Sequence, residues 1–283
     1  MSVKFKNVGH IYSPDSPFEY VALHDVNLEL PLHKMVAIVG NRGSGKSTLV
    51  QHLNALLQPT SGEVHINDRI IVADEKPRNL KSLRKVVGLV FQFPEYQLFE
   101  ETILRDIAFG PKNFGVSEEE ADARARMAIK QVGLDESYLM RSPFDLSGGQ
   151  KRRVAIAGIL AMDPEIIVLD EPTAGLDPQG AKQMMQLFAD LKNKHNKTIY
   201  IVTHDMEHVL NYCDEVVVMK DGRMIHQSNV EDFFAEGELL NDLHIAPPAI
   251  IKVKQMLKER GFKLSKANDF DTLVKDIVKE VRK

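Results

Sequence analysis

Gly40-Asn41-Arg42-Gly43-Ser44-Gly45-Lys46-Ser47 is the stretch that decides the fold. It fits G-x-x-x-x-G-K-[ST] at every fixed position, and its setting matters as much as the string. Met35 to Val39, just before it, is an apolar run without charge and suits a buried strand. Helix chemistry follows directly and predicts a helix from Lys46 to Leu57. The glycines let the backbone wrap closely around phosphates. The wrapped N–H groups and the helix N-terminus then supply positive potential. Lys46 is placed to reach the β- and γ-phosphates of a nucleotide, and the Ser47 hydroxyl to ligate Mg²⁺. Gly40, Asn41, Gly43, Ser44, Gly45 and Thr48 complete the expected nucleotide-binding set. A purely structural glycine loop would leave the agreement of strand, loop, Lys-Ser pair and helix unexplained.

Outward from that loop, the N-terminal third reads mostly as strands. Val3 and Phe5 alternate with Lys4 and Lys6, as in a half-exposed strand. Pro59 to Gly62 marks a turn, and Val86 to Phe91 is a second apolar run. From about Pro94 to Arg153 the pattern becomes helical, with Ser117 as an N-cap ahead of three glutamates. Strands return at Ile166–Leu169, Thr198–Thr203 and Glu215–Met219, with a helical stretch Gln179–Lys194 between the first two. Strand, helix, strand in that order implies a parallel crossover. Asp221-Gly222 predicts a two-residue hairpin turn. After Ser228 the chain reads as helical and charged. The expected organisation is a domain over residues 1–228, with a helical subdomain at about 94–153, and a small separate helical extension over 229–283.

Composition excludes several classes. Forty acidic against 36 basic side chains give a net charge of −4, which argues against a nucleic-acid-coating protein. The single cysteine, Cys213, allows no intrachain disulfide and fits a reducing compartment. The uncharged stretch Val154–Met162 is too short to cross a bilayer, and the N-terminus has no apolar signal segment. Any tie to a membrane is expected to run through a partner.

Ile166-Ile167-Val168-Leu169-Asp170-Glu171 is an apolar strand ending in two carboxylates. Asp170 is expected beside the phosphate loop, holding Mg²⁺ directly or through water. Glu171, one residue on, is placed to reach the attacking water. Neighbouring residues of a strand point to opposite faces, so the two acids suit different tasks.

Leu146-Ser147-Gly148-Gly149-Gln150, upstream of that acidic strand, resembles the signature of ATP-binding cassette (ABC) ATPases. Ser147 and the glycines open a helix to about Met162, whose N-terminus can address a phosphate. The resemblance implies that Ser147, Gly148, Gly149 and Gln150 contact ATP held by an opposing subunit. Other family motifs occur in order over residues 3–228. Tyr12 resembles the aromatic that stacks on adenine. Gln92 resembles the Q-loop glutamine, which senses Mg²⁺ and the γ-phosphate while its loop faces a membrane partner. Ala174-Gly175-Leu176-Asp177 resembles the D-loop, and His204 the switch histidine. The implied catalytic set is Glu171, His204 and Gln92, with Ser47, Gln92 and Asp170 around the metal. The implied fold is α/β, a P-loop NTPase (RecA-like) core with an antiparallel β subdomain and a helical signature subdomain.

Phe91-Gln92-Phe93-Pro94-Glu95-Tyr96-Gln97-Leu98-Phe99 is similar to the Q-loop region of energy-coupling factor (ECF) transporter ATPases. Ala108-Phe109-Gly110-Pro111 and Ala155–Ala161 extend that likeness, whereas Arg42 departs from it at a variable loop position. The opening Tyr12–Pro17 is similar to the second of the two ECF ATPase subunits. Such a resemblance implies ATP and Mg²⁺ as cofactors. It also implies a second homologous ATPase subunit forming a heterodimer, a transmembrane coupling subunit and small substrate-binding membrane subunits, at the cytoplasmic face of the membrane. Phe93, Tyr96, Leu98 and Phe99 are then anchors for a coupling helix, or else core of the helical subdomain. The extension, through Ile250, Val253 and Leu257, is expected to add dimer contacts or to be local core. A homodimeric ATPase of a cobalt or nickel importer is the nearest alternative.

Overall fold

The computed structural model describes residues 2–73, 75, 77–265 and 269–282. Residues 1, 74 and 76 of the expected first domain, and 266–268 and 283 of the expected extension, lie outside the described residues. Strands β1 (Val3–Tyr12), β2 (Tyr20–Leu30), β3 (Met35–Val39), β4 (Ser61–Ile66) and β5 (Arg69–Val72) occupy the N-terminal third. β6 (Val87–Val90), β7 (Ile166–Asp170), β8 (Thr198–Val202), β9 (Glu215–Lys220) and β10 (Arg223–Asn229) follow. The helices are α1 (Lys46–Gln51), α2 (Leu80–Val86), α3 (Ile103–Asn113), α4 (Glu118–Gln131), α5 (Gly148–Leu160) and α6 (Pro178–His195). After these come α7 (Met206–Tyr212), α8 (Val230–Ala235), α9 (Gly237–Asp242), α10 (Ala249–Glu259) and α11 (Phe270–Val281).

The strands form two sheets. One is antiparallel, in the order β2-β1-β4-β5, and the other has the order β10-β9-β3-β8-β7-β6. In the second sheet β9, β3, β8, β7 and β6 run parallel and β10 returns antiparallel through the Asp221-Gly222 turn. The parallel strands are continuous apolar runs because both of their faces are covered. Met35, Ala37 and Val39 of β3 enter one apolar cluster with helices α3 to α6, while Val36 and Ile38 enter the other with the antiparallel sheet. β7 and β8 divide in the same way, Ile167, Leu169, Ile199 and Ile201 facing the helices and Val168, Tyr200 and Val202 the opposite side.

The block between β6 and β7 is helical, as its sequence pattern predicts. Ser117 Oγ caps α4 by accepting from the Glu120 amide. Ala121, Ala125 and Ala128 form a small-residue face that lets α4 pack closely on α3 and α5.

The helix after the phosphate loop differs from expectation, ending at Gln51 rather than Leu57. His52 Nδ1 lies 2.7 Å from the Thr48 carbonyl and donates to it. The amides of Leu56 and Leu57 both turn back to the Gln51 carbonyl, and Ala55 takes a left-handed φ of 49°. Side-chain and backward backbone bonds thus replace the next helical turn. In the C-terminal segment, Phe233, Phe234, Leu240, Leu243, Ile250 and Leu273 join the apolar cluster that covers the helix face of the parallel sheet. Val253 remains partly exposed on α10. Among the described residues, no helix is long and apolar enough to cross a membrane.

Candidate active site

Parallel strands place all their C-terminal ends on one edge, which is where ligands of open α/β sheets bind. Here β3 delivers the phosphate loop, β7 delivers Asp170 and Glu171, β8 leads to His204, and β6 leads to Gln92. β8 lies between β3 and β7, so four chemically distinct segments converge on one short arc.

The loop depends on its glycines where backbone approaches backbone. Gly40 has φ 146°, and a Cβ there would lie 2.0 Å from the Met219 carbonyl oxygen. Gly45, at φ 92°, ends the loop against the Ala22 carbonyl, 2.7 Å from where a Cβ would stand. Lys46 Nζ donates to the carbonyls of Gly40 and Asn41 at 2.8 Å each and lies 3.3 Å from Ser44 Oγ. Burial lowers the Lys46 pKa, while the Glu171 and Asp170 charges pull it back up.

Asp170 is buried at the end of β7. Burial raises its pKa above the ordinary carboxylate value, opposed by a bond from the Ser47 hydroxyl and by the Lys46 charge. Glu171 leaves the strand with a left-handed φ of 50°, its amide still donating to the Val202 carbonyl at 3.0 Å. A non-glycine residue in that region costs about 1 kcal/mol or more, and such outliers cluster at functional sites. Strand alternation alone therefore does not aim Glu171; a backbone turn does. His204 Nδ1 lies 2.8 Å from Glu171 Oε1. A carboxylate only accepts, so His204 carries its proton on Nδ1 toward Glu171.

Tyr12, at the end of β1, is partly exposed, and its hydroxyl lies 3.2 Å from Thr48 Oγ1. Its ring meets His10 edge-on at 4.6 Å, and His10 meets the fully buried His52 at 4.9 Å. The expected adenine platform is thereby tied to the helix that follows the phosphate loop. Tyr20, paired with Tyr12 in the β1–β2 register, reaches the Gly43 carbonyl at 3.5 Å. Sequence reasoning missed Tyr20, although the hairpin that pairs it with Tyr12 was its one available signal. A cavity of about 570 Å³ opens beside the loop, walled by Gly40, Asn41 and His204 and, from the C-terminal segment, by His244 and Pro247.

Ser147 forms a reciprocal cap with Gln150 at the start of α5: Ser147 N donates to Gln150 Oε1 at 3.0 Å, and Gln150 N to Ser147 Oγ at 3.4 Å. Ser147 and Gly148 are exposed. Gln92 is exposed too, past the end of β6. Among the described residues, no hydrogen bond or ion pair links Gln92 or Ser147–Gln150 to the phosphate loop. The structure thus brings Tyr12, Lys46, Ser47, Thr48, Asp170, Glu171 and His204 to one edge and leaves the signature facing outward. Arg152, on α5, was missed entirely; its burial against Glu95 and the 172–174 turn has no sequence signal.

A phosphate loop, an acidic strand end and a capped Ser-Gly-Gly-Gln helix start on this fold define an ATP-hydrolysing cassette. Residues 23–174 match the family described as ABC transporter. The energy-coupling factor transporter ATP-binding protein EcfA2 of Enterococcus faecalis is 53% identical over 262 residues, 93% of this chain and 91% of that protein. The protein of the same name from Geobacillus kaustophilus is 52% identical over 92% of this chain and 90% of that protein. Among solved structures, cbiO1 from Clostridium perfringens, part of the ABC transporter complex cbiONQ, is 38% identical with a TM-score of 0.74, over 89% of this chain and 98% of that one. An ATP-binding cassette captured as a dimer after hydrolysis, with ADP and Pi, is 34% identical with a TM-score of 0.72, over 81% and 98%. The chain belongs to the ABC transporter family, as an ATP-binding subunit of the energy-coupling factor type.

Proposed function

We propose that this chain supplies complementary halves of two ATP sites in a head-to-tail pair with a second, homologous ATPase subunit. One observation carries the reading: Ser147–Gln150 caps an outward-facing helix start with no described bond to the chain's own phosphate loop. A second chain's nucleotide is the ligand such a start suits. In its own site, Lys46 and the loop amides hold the phosphates, Tyr12 stacks on the base, and Gln92 approaches from its exposed segment after β6 once ATP is present.

The donor chemistry fits Mg²⁺. Ser47 and Asp170 offer hard oxygens that already interact with each other. Among the described residues no group of three His, Cys, Asp or Glu side chains is arranged to hold a metal ion by itself. Ser47, Asp170 and Gln92 would hold the cation, and so few protein ligands suit Mg²⁺, which keeps phosphate and water oxygens around it. When bound, it neutralises charge on the phosphate oxygens. Glu171 takes a proton from the attacking water as the water oxygen bonds to the γ-phosphorus and the bond to the ADP oxygen breaks. His204 orients Glu171 through Nδ1, and with a second proton on Nε2 it would donate to the γ-phosphate.

The pair drives uptake of vitamins or other micronutrients through a transmembrane coupling subunit with exchangeable substrate-binding subunits, at the cytoplasmic face of the membrane. Phe93, Tyr96 and Phe99 are exposed on the segment after Gln92 and suit a helix-in-groove contact. Residues 1–228 serve as the nucleotide-binding domain, and 229–283 as an extension adding dimer contacts through the exposed Phe270, Val274 and Val278. The test is affinity purification from mildly solubilised membranes followed by mass spectrometry. Recovery of a second, different ABC ATPase with a coupling protein and varying small membrane proteins is the expected result. The likeness to cbiO1 favours one other reading, a homodimeric cobalt or nickel importer ATPase. Recovery of this chain alone as the ATPase, with one fixed membrane set, would select it.

A further inference from the structure

Arg152 lies two residues past Gln150 on α5 and is only 3% exposed. Arginine is rarely buried unless paired, and this one is paired on two sides. Its Nε and Nη2 grip both oxygens of Glu95 at 3.0 and 2.8 Å. Its Nη1 donates to the carbonyls of Pro172 at 3.2 Å and Ala174 at 2.5 Å. The guanidinium carbon also sits 5.6 Å from the centre of the Phe93 ring. A planar fork can hold a carboxylate and two carbonyls at once; a lysine ammonium cannot reproduce that geometry.

The gripped segments are functionally distinct. Glu95 belongs to the 3₁₀ turn Pro94–Gln97, directly after Gln92 and Phe93, and Tyr96 projects from the same turn. Pro172 and Ala174 belong to the turn after Glu171. The Ala174 amide donates to the Glu171 carbonyl at 3.1 Å, closing the turn that keeps Glu171 at its left-handed φ. One side chain therefore spans the base of an exposed aromatic surface and the turn that aims the carboxylate at the attacking water. Displacing Glu95 moves one half of the guanidinium's partners, and the other half sets Glu171.

We propose that Arg152 is a positioning residue that makes the placement of Glu171 follow the placement of the Glu95 turn, so that a partner engaging Phe93 and Tyr96 sets the rate of hydrolysis. The inference rests on Glu171 activating water and on the 92–106 segment facing the membrane partner.

The complex purified with its membrane partners is placed in lipid vesicles. ATP hydrolysis is measured for wild type, Arg152→Lys, Glu95→Gln and the double variant, with kcat and KM separated. The expected result is a KM for ATP within about twofold of wild type and a kcat at least about tenfold lower for each single variant. The double variant should be no slower than either single, because both break one link. Melting temperature is read alongside. A lowered melting temperature with unchanged kcat marks a merely structural ion pair and overturns the proposal, as do additive losses in the double variant. Where Arg152→Lys fails to assemble, the near-isosteric Glu95→Gln carries the test through its kcat. A Glu171→Gln complex separates the two readings. If it still hydrolyses ATP, the assignment of Glu171 falls and the coupling with it. If it is inactive while Glu95→Gln keeps the wild-type kcat, only the coupling is overturned.

Discussion

His204 donates its Nδ1 hydrogen to Glu171 Oε1 across 2.8 Å, and the two residues stand on neighbouring strand ends. The bond fixes one tautomer, which leaves Nε2 as an acceptor at the mouth of the site. Glu171 itself is aimed by its left-handed backbone and by the Val202 carbonyl, so histidine and glutamate act as one oriented unit.

Glu171→Gln tests that unit. The amide keeps the size and still bonds His204, yet cannot take a proton from water. ATP binding should persist and turnover should fall by about 10²- to 10⁴-fold, the range for loss of a general base. His204→Ala should also slow turnover while sparing binding, because Glu171 loses its orienting partner. Calorimetric titration with ATP and phosphate release together check both. Normal phosphate release by Glu171→Gln would remove it from the chemistry.

Asp170→Asn tests the metal reading. Asp170 is buried beside Lys46, and burial already raises its pKa. Neutralising it removes the carboxylate that accepts from the Ser47 hydroxyl. The Mg²⁺ concentration needed for half-maximal hydrolysis should rise by about tenfold or more, a loss typical of ligand-shell changes. Chelation should stop wild-type hydrolysis and added Mg²⁺ should restore it. An unchanged Mg²⁺ titration for Asp170→Asn would place the metal elsewhere.

Phe93 and Tyr96 test the docking surface. Both are exposed, and their rings lie 6.2 Å apart, so they form one apolar spot rather than core. Replacing both by Ala should leave melting nearly unchanged, since exposed side chains contribute roughly 0.5 kcal/mol or less. Recovery of the membrane partner in affinity purification should fall sharply. A transport-competent complex recovered at wild-type yield would refute the docking role.

The parts of the site that are contiguous in the chain were legible in the sequence. The loop from Gly40 to Ser47 carries its own geometry, and the apolar runs of β3, β7 and β8 carry their own burial. What escaped depends on distant residues or on local competition. Arg152 meets Glu95 across 57 positions, and nothing in either neighbourhood announces the pairing. The helix after the loop stops early because the His52 ring takes the Thr48 carbonyl, a choice that propensity does not contain. Alternation predicted that Asp170 and Glu171 diverge, but the agent is the left-handed turn at Glu171. The packing of Ile250 and Leu273 into the main apolar cluster was likewise hidden, since helical spacing shows which face is apolar and not what it meets.

His52 gives a pH test of the packing behind the site. It is fully buried, with Nδ1 bound to the Thr48 carbonyl and the His10 ring 4.9 Å away. Burial pushes its pKa from 6.5 down to about 4, outweighing the carbonyl bonds that favour the proton, while neighbouring His10 lowers it further. The unfolded chain takes a proton on His52 near pH 6.5 and the folded chain only near 4, so between those values the unfolded state binds more protons. Stability must therefore rise with pH across that window and, for this group, level off above it. At about 1.4 kcal/mol per pH unit, the His52 contribution to the difference is about 3 kcal/mol. His52→Asn keeps a donor for the Thr48 carbonyl and removes the titration. Denaturant unfolding at pH 4.5, 5.5 and 6.5 should then show a shallower pH slope than wild type, whatever the absolute stability of the variant. His10, also depressed by burial, remains in both proteins and leaves a common residual slope. Equal slopes in the two proteins would mean that His52 is not held neutral behind Thr48, and that the tie from the loop helix through His10 to Tyr12 is looser than these contacts imply.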